Sequence, residues 1–246
     1  MIRLYIDRPL SSNIELLLNS DSSHYLKNVL RLKQGDRLNV FNGISPFGYF
    51  SAQIKSVEKR TITLEIGEFV IQDTRSPLKI CLYQGISKAE KMDFTIQKSV
   101  ELGVSSIQPV WMEHTNIKLN DEKRLSKKLQ HWQKIAYSAM EQSGQNALVK
   151  VDSPIDFQSA CQLLEPSDLT IVLNPWAANT LADIDSLPSK AINIFIGPEG
   201  GISETEVNIL SQYNSVDIQL GPRILRTETA SLAIISILQS LWGDFK

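Results

Sequence analysis

The chain of 246 residues holds 25 Lys+Arg against 27 Asp+Glu, a formal net charge of −2, with 42% hydrophobic and 21% charged residues. This balance excludes disordered and fibrous classes and falls well short of the basic excess of a dedicated nucleic-acid binder. The mild bias that exists lies at the front, where residues 1–75 carry 10 Lys+Arg against 8 Asp+Glu.

Cys81 and Cys161 stand far apart in strand-like or helix-like surroundings. Neither a disulfide framework nor a paired-cysteine metal site is suggested, and His24, His114 and His131 lack metal-ligand spacing, so no metal is expected. The opening MIRLYIDRPL has no apolar run of signal length, and the longest apolar segment, near Leu232–Leu238, is broken by Ser236. The expectation is a cytoplasmic protein with no membrane partner.

The first seventy or so residues read as short strands around one helical stretch. Ile2–Ile6 and Ile14–Leu18 are β-like, Ser22–Leu30 is a turn or two of helix, and Arg37–Phe41 runs into Asn42-Gly43, a strong hairpin signal. Tyr49–Val57 and Thr61–Val70 alternate apolar and polar residues, and together these strands predict a compact β-barrel. Gln72–Pro77, polar and ending in proline, is the candidate linker. The domains are expected at 1–72 and 73–246.

After Pro77 strands alternate with helices, the pattern of an α/β layer fold with a mostly parallel sheet. Leu78–Tyr83 is a strand; Ser87 and Glu90 stand at capping-box spacing before a helix with Met92, Ile96 and Val100 on one face, stopped by Gly103. Val104–Val110 is the next strand, and Asp121 opens a helix whose Leu125, Leu129, Trp132, Ala136 and Ala139 recur at helical spacing as far as Gly144. Leu169–Leu173, Ile192–Ile196 and Val216–Leu220 are three further strands, and Ser203 with Glu206 forms a second capping box.

Each of these last three strands runs into a turn: Asn174-Pro175-Trp176, Gly197-Pro198-Glu199-Gly200-Gly201, and Gly221-Pro222-Arg223. One such turn means little; three at equivalent strand ends point to a ligand pocket at the carboxyl edge of the sheet. No GxGxxG follows the first α/β strand, and neither a phosphate-binding GxxxxGK[ST] loop nor a GxSxG elbow occurs. The stretch LGPRILRTETASLAIISILQSLW, Leu220–Trp242, then pins Arg223, Arg226 and Glu228 to the start of an apolar helix. Thr227 can cap that helix and Glu228 can interact with its dipole, but two arginines beside a glycine turn imply an anionic partner.

IGPEGGISETE, LGPRILRTETA, GISKAEKMDFTIQKSVELGV and KIAYSAMEQSG, with HYLKNVLRLKQGD at His24–Asp36, together resemble the bacterial ribosomal-RNA methyltransferases that act on N3 of a uridine in small-subunit (16S) rRNA. The resemblance covers nearly the whole chain. It implies a SPOUT-class fold, α/β with a trefoil knot in the methyltransferase domain behind a small N-terminal PUA-like β-barrel that binds RNA, and a homodimer. It also implies S-adenosyl-L-methionine as cofactor, held by three loops: Leu173, Asn174 and Pro175; Ile196, Gly197, Pro198, Glu199, Gly200 and Gly201; and Leu220, Gly221, Arg223, Ile224, Leu225 and Arg226.

For methyl transfer to uracil N3, Arg226 is expected to stabilise negative charge on a carbonyl oxygen, and Glu228 either to orient that arginine or to help remove the N3 proton. His24, Asn28, Arg31, Lys33 and Arg37, with Lys88 and Lys91, are the expected RNA contacts. Two departures stand out: many relatives carry arginine where this chain reads Glu113-His114-Thr115-Asn116, and again where it has Gln145. Two alternatives stay open at this level: a knotted methyltransferase acting on a ribose 2′-oxygen or another base, and a non-catalytic RNA-binding ribosome assembly factor.

Overall fold

The structure, a computed structural model, describes residues 1–117, 121–184 and 191–245. Two compact units emerge: Met1–Arg75 with Met140–Leu148, and Ser76–Ala139 with Val149–Lys246.

The first unit contains strands β1 (Arg3–Tyr5), β2 (Glu15–Leu17), β3 (Arg37–Phe41), β4 (Gly48–Val57) and β5 (Ile62–Ile71) in the order β1-β3-β4-β5-β2. All its pairs are antiparallel except β1 with β3. Alternation along β4 buries Phe50, Ala52 and Ile54 and exposes Ser51, Gln53 and Lys55, as a sheet with one covered face requires. Helix α1 (Ser20–His24) begins at Asn19, whose Oδ1 accepts from the Ser22 amide, and continues into a π-helical turn at Tyr25–Val29. Leu26 of that turn, fully buried, joins Leu38, Val40, Ile54, Ile62 and Leu64 in the core. Each such side chain contributes about 1.5–3 kcal/mol of burial.

The Asn42-Gly43 pair does not make a two-residue hairpin. Residues 42–47 connect β3 to β4, and Asn42 Oδ1 instead accepts from the Ile44 amide at 3.2 Å, a local Asx turn. Residues 140–148 join this unit although the expected cut at residue 72 leaves them out, and hydrogen bonds supply the reason. Glu141 Oε1 accepts from the Tyr5 amide at 2.9 Å, and buried Asn146 receives the Arg3 guanidinium and donates to Gln72 O at 2.7 Å. Burial pushes the Glu141 carboxyl up from its ordinary value.

The second unit is built on a seven-stranded parallel sheet: β6 (Ile80–Gly85), β7 (Ser106–Trp111), β8 (Lys150–Val151), β9 (Ile155–Asp156), β10 (Leu169–Leu173), β11 (Ile192–Ile196) and β12 (Ser215–Ile218). The order is β12-β10-β11-β6-β7-β8, with β9 also on β7. Every residue of β11 is buried, the mark of a central strand covered on both faces. Around the sheet lie α2 (Ala89–Glu101), α3 (Glu122–Ser143), α4 (Phe157–Gln162), α5 (Glu204–Ser211) and α6 (Thr227–Trp242).

Helix ends agree with the sequence reading at some places and depart from it at others. The Ser203–Glu206 capping box of α5 is present in both directions, and Gly103 ends α2 with φ +83°. The expected Ser87–Glu90 box is absent: Lys88 is the N-cap of α2, and its amide donates to Glu199 Oε1 at 3.0 Å. Ser87 is only 1% exposed at the strand-to-helix turn, and a carboxylate from another loop takes the capping role. Along α6, Ile234, Ile235 and Leu238 are fully buried, whereas Ile237 and Leu241 remain 36% and 55% exposed. Buried Gln239 fastens the far end of this helix, accepting from Ser76 Oγ at 2.7 Å and donating to Leu102 O at 2.9 Å.

Candidate functional site

Because the sheet is parallel, β10, β11 and β12 present their carboxyl ends on one edge. The loops that follow line a cleft of about 390 Å³. Every residue expected to hold a cofactor lies on its wall, from Leu173, Asn174 and Pro175 through Ile196–Gly201 to Leu220, Gly221, Arg223, Ile224, Leu225 and Arg226. Lys91, Trp176, Ile202, Ile218, Thr227 and Ala230 line it too. Trp176, Ile202, Thr227 and Ala230 stand inside motifs already singled out; Ile218 carries no signal beyond its place in a strand.

The loops keep their shape through close backbone packing and local bonds. A Cβ on Gly197 would stand 2.5 Å from the Gly201 carbonyl carbon and 2.7 Å from the Ile202 nitrogen, so no side chain fits there. Gly201, at φ +77°, closes the turn by donating its amide to Pro198 O at 2.9 Å. In the first loop Asn174 Oδ1 accepts from the Trp176 amide at 3.0 Å, which leaves the Trp176 ring 80% exposed. The departures after β7 also have local partners. Thr115 Oγ1 accepts from the Met112 amide at 3.1 Å, the Glu113 amide donates to Glu206 Oε1 at 2.9 Å, and a ring nitrogen of His114 lies 3.3 Å from Gly201 O.

Beneath the cleft lies a buried, uncharged polar network. Gln84, at the end of β6 and fully buried, donates to Thr227 Oγ1 at 2.9 Å, and Thr227 Oγ1 in turn donates to Gly197 O at 2.7 Å. Ser231 Oγ lies 2.8 Å from Gln84 Oε1 and 2.9 Å from Thr227 O, its single proton serving either. The expected capping by Thr227 is therefore corrected. Arg226 is the N-cap of α6 and caps with no side-chain bond, while the threonine hydroxyl ties the helix start to the β11 loop. Burial in a low-dielectric interior makes these bonds count for more than the same contacts in water.

Charged groups occupy the wall. Arg223 and Arg226 are exposed. Lys91, in the first turn of α2, places its Nζ 3.8 Å from Glu199 Oε1 and 3.7 Å from Glu228 Oε2. Glu228 does not line the cleft; it stands behind Lys91, with Oε2 buried and without a hydrogen bond. The structure thus brings Arg226 and Glu228 to one end of α6 but puts only the arginine on the cleft surface.

The remaining expected RNA contacts divide. His24 and Asn28, whose side chains meet at 2.8 Å, lie in a second cleft within the first unit, beside Lys27, Lys59 and Arg60. Those last three escaped the sequence reading; the adjacent Lys59-Arg60 pair was the available signal. Arg31, Lys33 and Arg37 are exposed outside that cleft, and Arg31 adopts φ +56°. Lys88 is exposed, with its amide committed to Glu199.

Two further groups are tuned by burial: Tyr83, stacked at 4.5 Å on Phe195, is pushed up to about 12, and the Cys161 thiol to about 11. Among the described residues no group of three or more His, Cys, Asp or Glu could hold a metal ion, and no helix is long and apolar enough to cross a membrane.

Comparison with known proteins gives a consistent picture. A family model described as an RNA methyltransferase domain matches residues 74–239, and one described as an RNA methyltransferase PUA domain matches residues 18–67. The ribosomal RNA small subunit methyltransferase E of Buchnera aphidicola (subsp. Acyrthosiphon pisum) is 39% identical over 246 residues, covering 99% of this chain and 95% of that protein. Its Bacillus subtilis namesake is 32% identical over 229 residues, covering 90% and 88%. Among solved structures, the Neisseria gonorrhoeae ribosomal RNA small subunit methyltransferase E, bound to S-adenosyl methionine, matches with a TM-score of 0.91 at 38% identity, covering 100% of both chains.

Proposed function

The chain belongs to the RNA methyltransferase family, with a PUA domain ahead of its α/β methyltransferase domain, and on that premise we propose that it methylates N3 of a uridine in small-subunit (16S) ribosomal RNA. S-adenosylmethionine is the methyl donor. The observation that carries this reading is the three-loop cleft with an arginine on its wall. Its volume, about 390 Å³, lies in the range of small-molecule sites. Leu173, Ile196, Ile218, Leu225 and Ala230 offer apolar surface for an adenosine, and the tight Gly197–Gly201 turn offers backbone groups at close range.

S-adenosylmethionine, when bound, supplies an electrophilic methyl group that needs placement rather than activation. The harder half belongs to the uracil. N3 must give up its proton, which passes to water at the open mouth of the cleft, and the resulting negative charge spreads onto the carbonyl oxygens. The loops at residues 173–175, 196–201 and 220–226 would hold the cofactor, which would give its methyl carbon to the N3 lone pair as its carbon–sulfur bond breaks. Arg226 meets that charge while it develops, a contribution worth about 10²–10³-fold in rate for one well-placed donor. Glu228, lying behind the wall, orients the cationic groups.

RNA is bound in the first unit by His24 and Asn28 with Arg31, Lys33 and Arg37. The trefoil knot is supported by the chain path: β12 lies at the sheet edge, yet the next helix begins at Thr227 beside Gly197 and Gln84, back under its centre. A homodimer is supported by Ile237 and Leu241, exposed on the terminal helix. Transfer of labelled methyl to unmodified small subunits, followed by mapping of the modified base, tests the proposal. A new methyl on uridine N3 is the expected result; a methyl on a ribose oxygen, or none, refutes it.

A further inference from the structure

From the sequence, Lys91 is expected as an RNA contact at a helix start. In the structure it lines the cleft, with its side chain 30% exposed, between two carboxylates from separate elements: Glu199 on the loop after β11 and Glu228 in the first turn of α6. Both separations, 3.8 and 3.7 Å, suit ion pairs but exceed hydrogen-bond length. The carboxylates therefore fix where the ammonium sits without taking up its three N–H donors.

The carboxylates are themselves held. Glu199 Oε1 is anchored by the Lys88 amide at 3.0 Å. Glu228 Oε2 is buried without a hydrogen bond, so its attraction is spent on Lys91. Arg226 and Arg223 are the other cations on the same wall, and both are exposed where Lys91 is not.

We propose that Lys91 is a second catalytic cation: clamped by the positioning residues Glu199 and Glu228, it donates to a carbonyl oxygen of the uracil anion and shares with Arg226 the charge that develops when N3 is deprotonated. The inference rests on the uridine-N3 reading above. A uracil anion bears its charge on two carbonyl oxygens flanking N3, and two separately mounted donors suit that geometry better than one. Partial burial of the Lys91 side chain strengthens such a donor relative to a surface lysine.

The competing role is that of a counter-ion that merely neutralises Glu228, and a double variant separates the two. Lys91→Met is expected to lower single-turnover methyl transfer to small subunits about 10²–10³-fold, with S-adenosylmethionine affinity within about threefold of the parent. Lys91→Arg is expected to recover part of that loss. Glu228→Gln alone, acting only through position, should lose about tenfold. In Lys91→Met/Glu228→Gln the rate should stay at the Lys91→Met level; recovery to the Glu228→Gln level would make Lys91 a counter-ion and overturn the proposal. A Lys91→Met protein with raised KM, unchanged kcat and a weaker salt dependence would make it a phosphate contact, which also overturns it. Mapping the methyl made by the parent enzyme keeps the two claims apart: a methyl elsewhere than uridine N3 sinks the functional reading itself, whatever the variants do.

Discussion

The floor and the wall of the cleft are both polar, yet they are built in opposite ways. On the floor, Gln84, Thr227 and Ser231 are buried and uncharged, hydrogen-bonded to one another and to Gly197 O at 2.7–2.9 Å. On the wall, Lys91 meets its two carboxylates only at ion-pair distance, and the arginines stay exposed. A buried group left unsatisfied would cost stability, so the floor is satisfied internally and holds shape. A donor satisfied by its own protein has little left for a substrate, so the wall is left partly unmet.

If that division is right, damage to the floor should register as lost stability and cofactor affinity, and damage to the wall as lost rate. The largest effect on affinity is expected from Gly197→Ala, at the loop glycine whose carbonyl accepts from Thr227 of the floor. Its Cβ meets backbone atoms at 2.5 and 2.7 Å that cannot step aside cheaply. A cost of about 1–3 kcal/mol, some 5- to 150-fold, should appear in S-adenosylmethionine affinity measured by calorimetry; unchanged affinity would mean the loop does not shape the cofactor site.

Gln84→Leu comes next. It strands Thr227 Oγ1 and Ser231 Oγ without their amide partner, and thermal unfolding should show a loss of about 1–3 kcal/mol. A variant as stable as the parent would remove the network from the account.

The smallest effect concerns Tyr83, whose hydroxyl is held by burial at about 12 against an ordinary 10.0. The folded state favours the neutral phenol, so this contribution is complete below pH 10 and is lost as pH rises toward 12. Tyr83→Phe should flatten the decline of stability across that window; an identical decline in both proteins would assign it to other groups.

The sequence made the cleft legible because backbone loops announce themselves. Strands in a parallel sheet are short apolar runs, and proline-containing turns after three of them, one Asn-Pro and two Gly-Pro, mark a common edge. Side-chain partnerships were harder to read. Thr227 carries a good cap residue's hydroxyl, but its acceptor, Gly197 O, is brought near only by the return of the chain beneath β11. Ser87 and Glu90 have capping-box spacing, yet burial of Ser87 hands the Lys88 amide to Glu199. The surroundings of Lys91 were hidden for the same reason: nothing local indicates that α2 starts beside the loop carrying Glu199. In the first unit, alternation gave the strands, while the Asn42 side chain's own turn replaced the tight hairpin that the Asn-Gly pair suggested.

The measurement that most directly tests the division between floor and wall is made on Arg226→Ala, with S-adenosylmethionine affinity and single-turnover methyl transfer to small subunits determined on the same preparation. The account predicts a rate lower by about 10²–10³-fold with affinity within a few-fold of the parent. Affinity falling in step with the rate would place Arg226 in the cofactor floor and contradict the division.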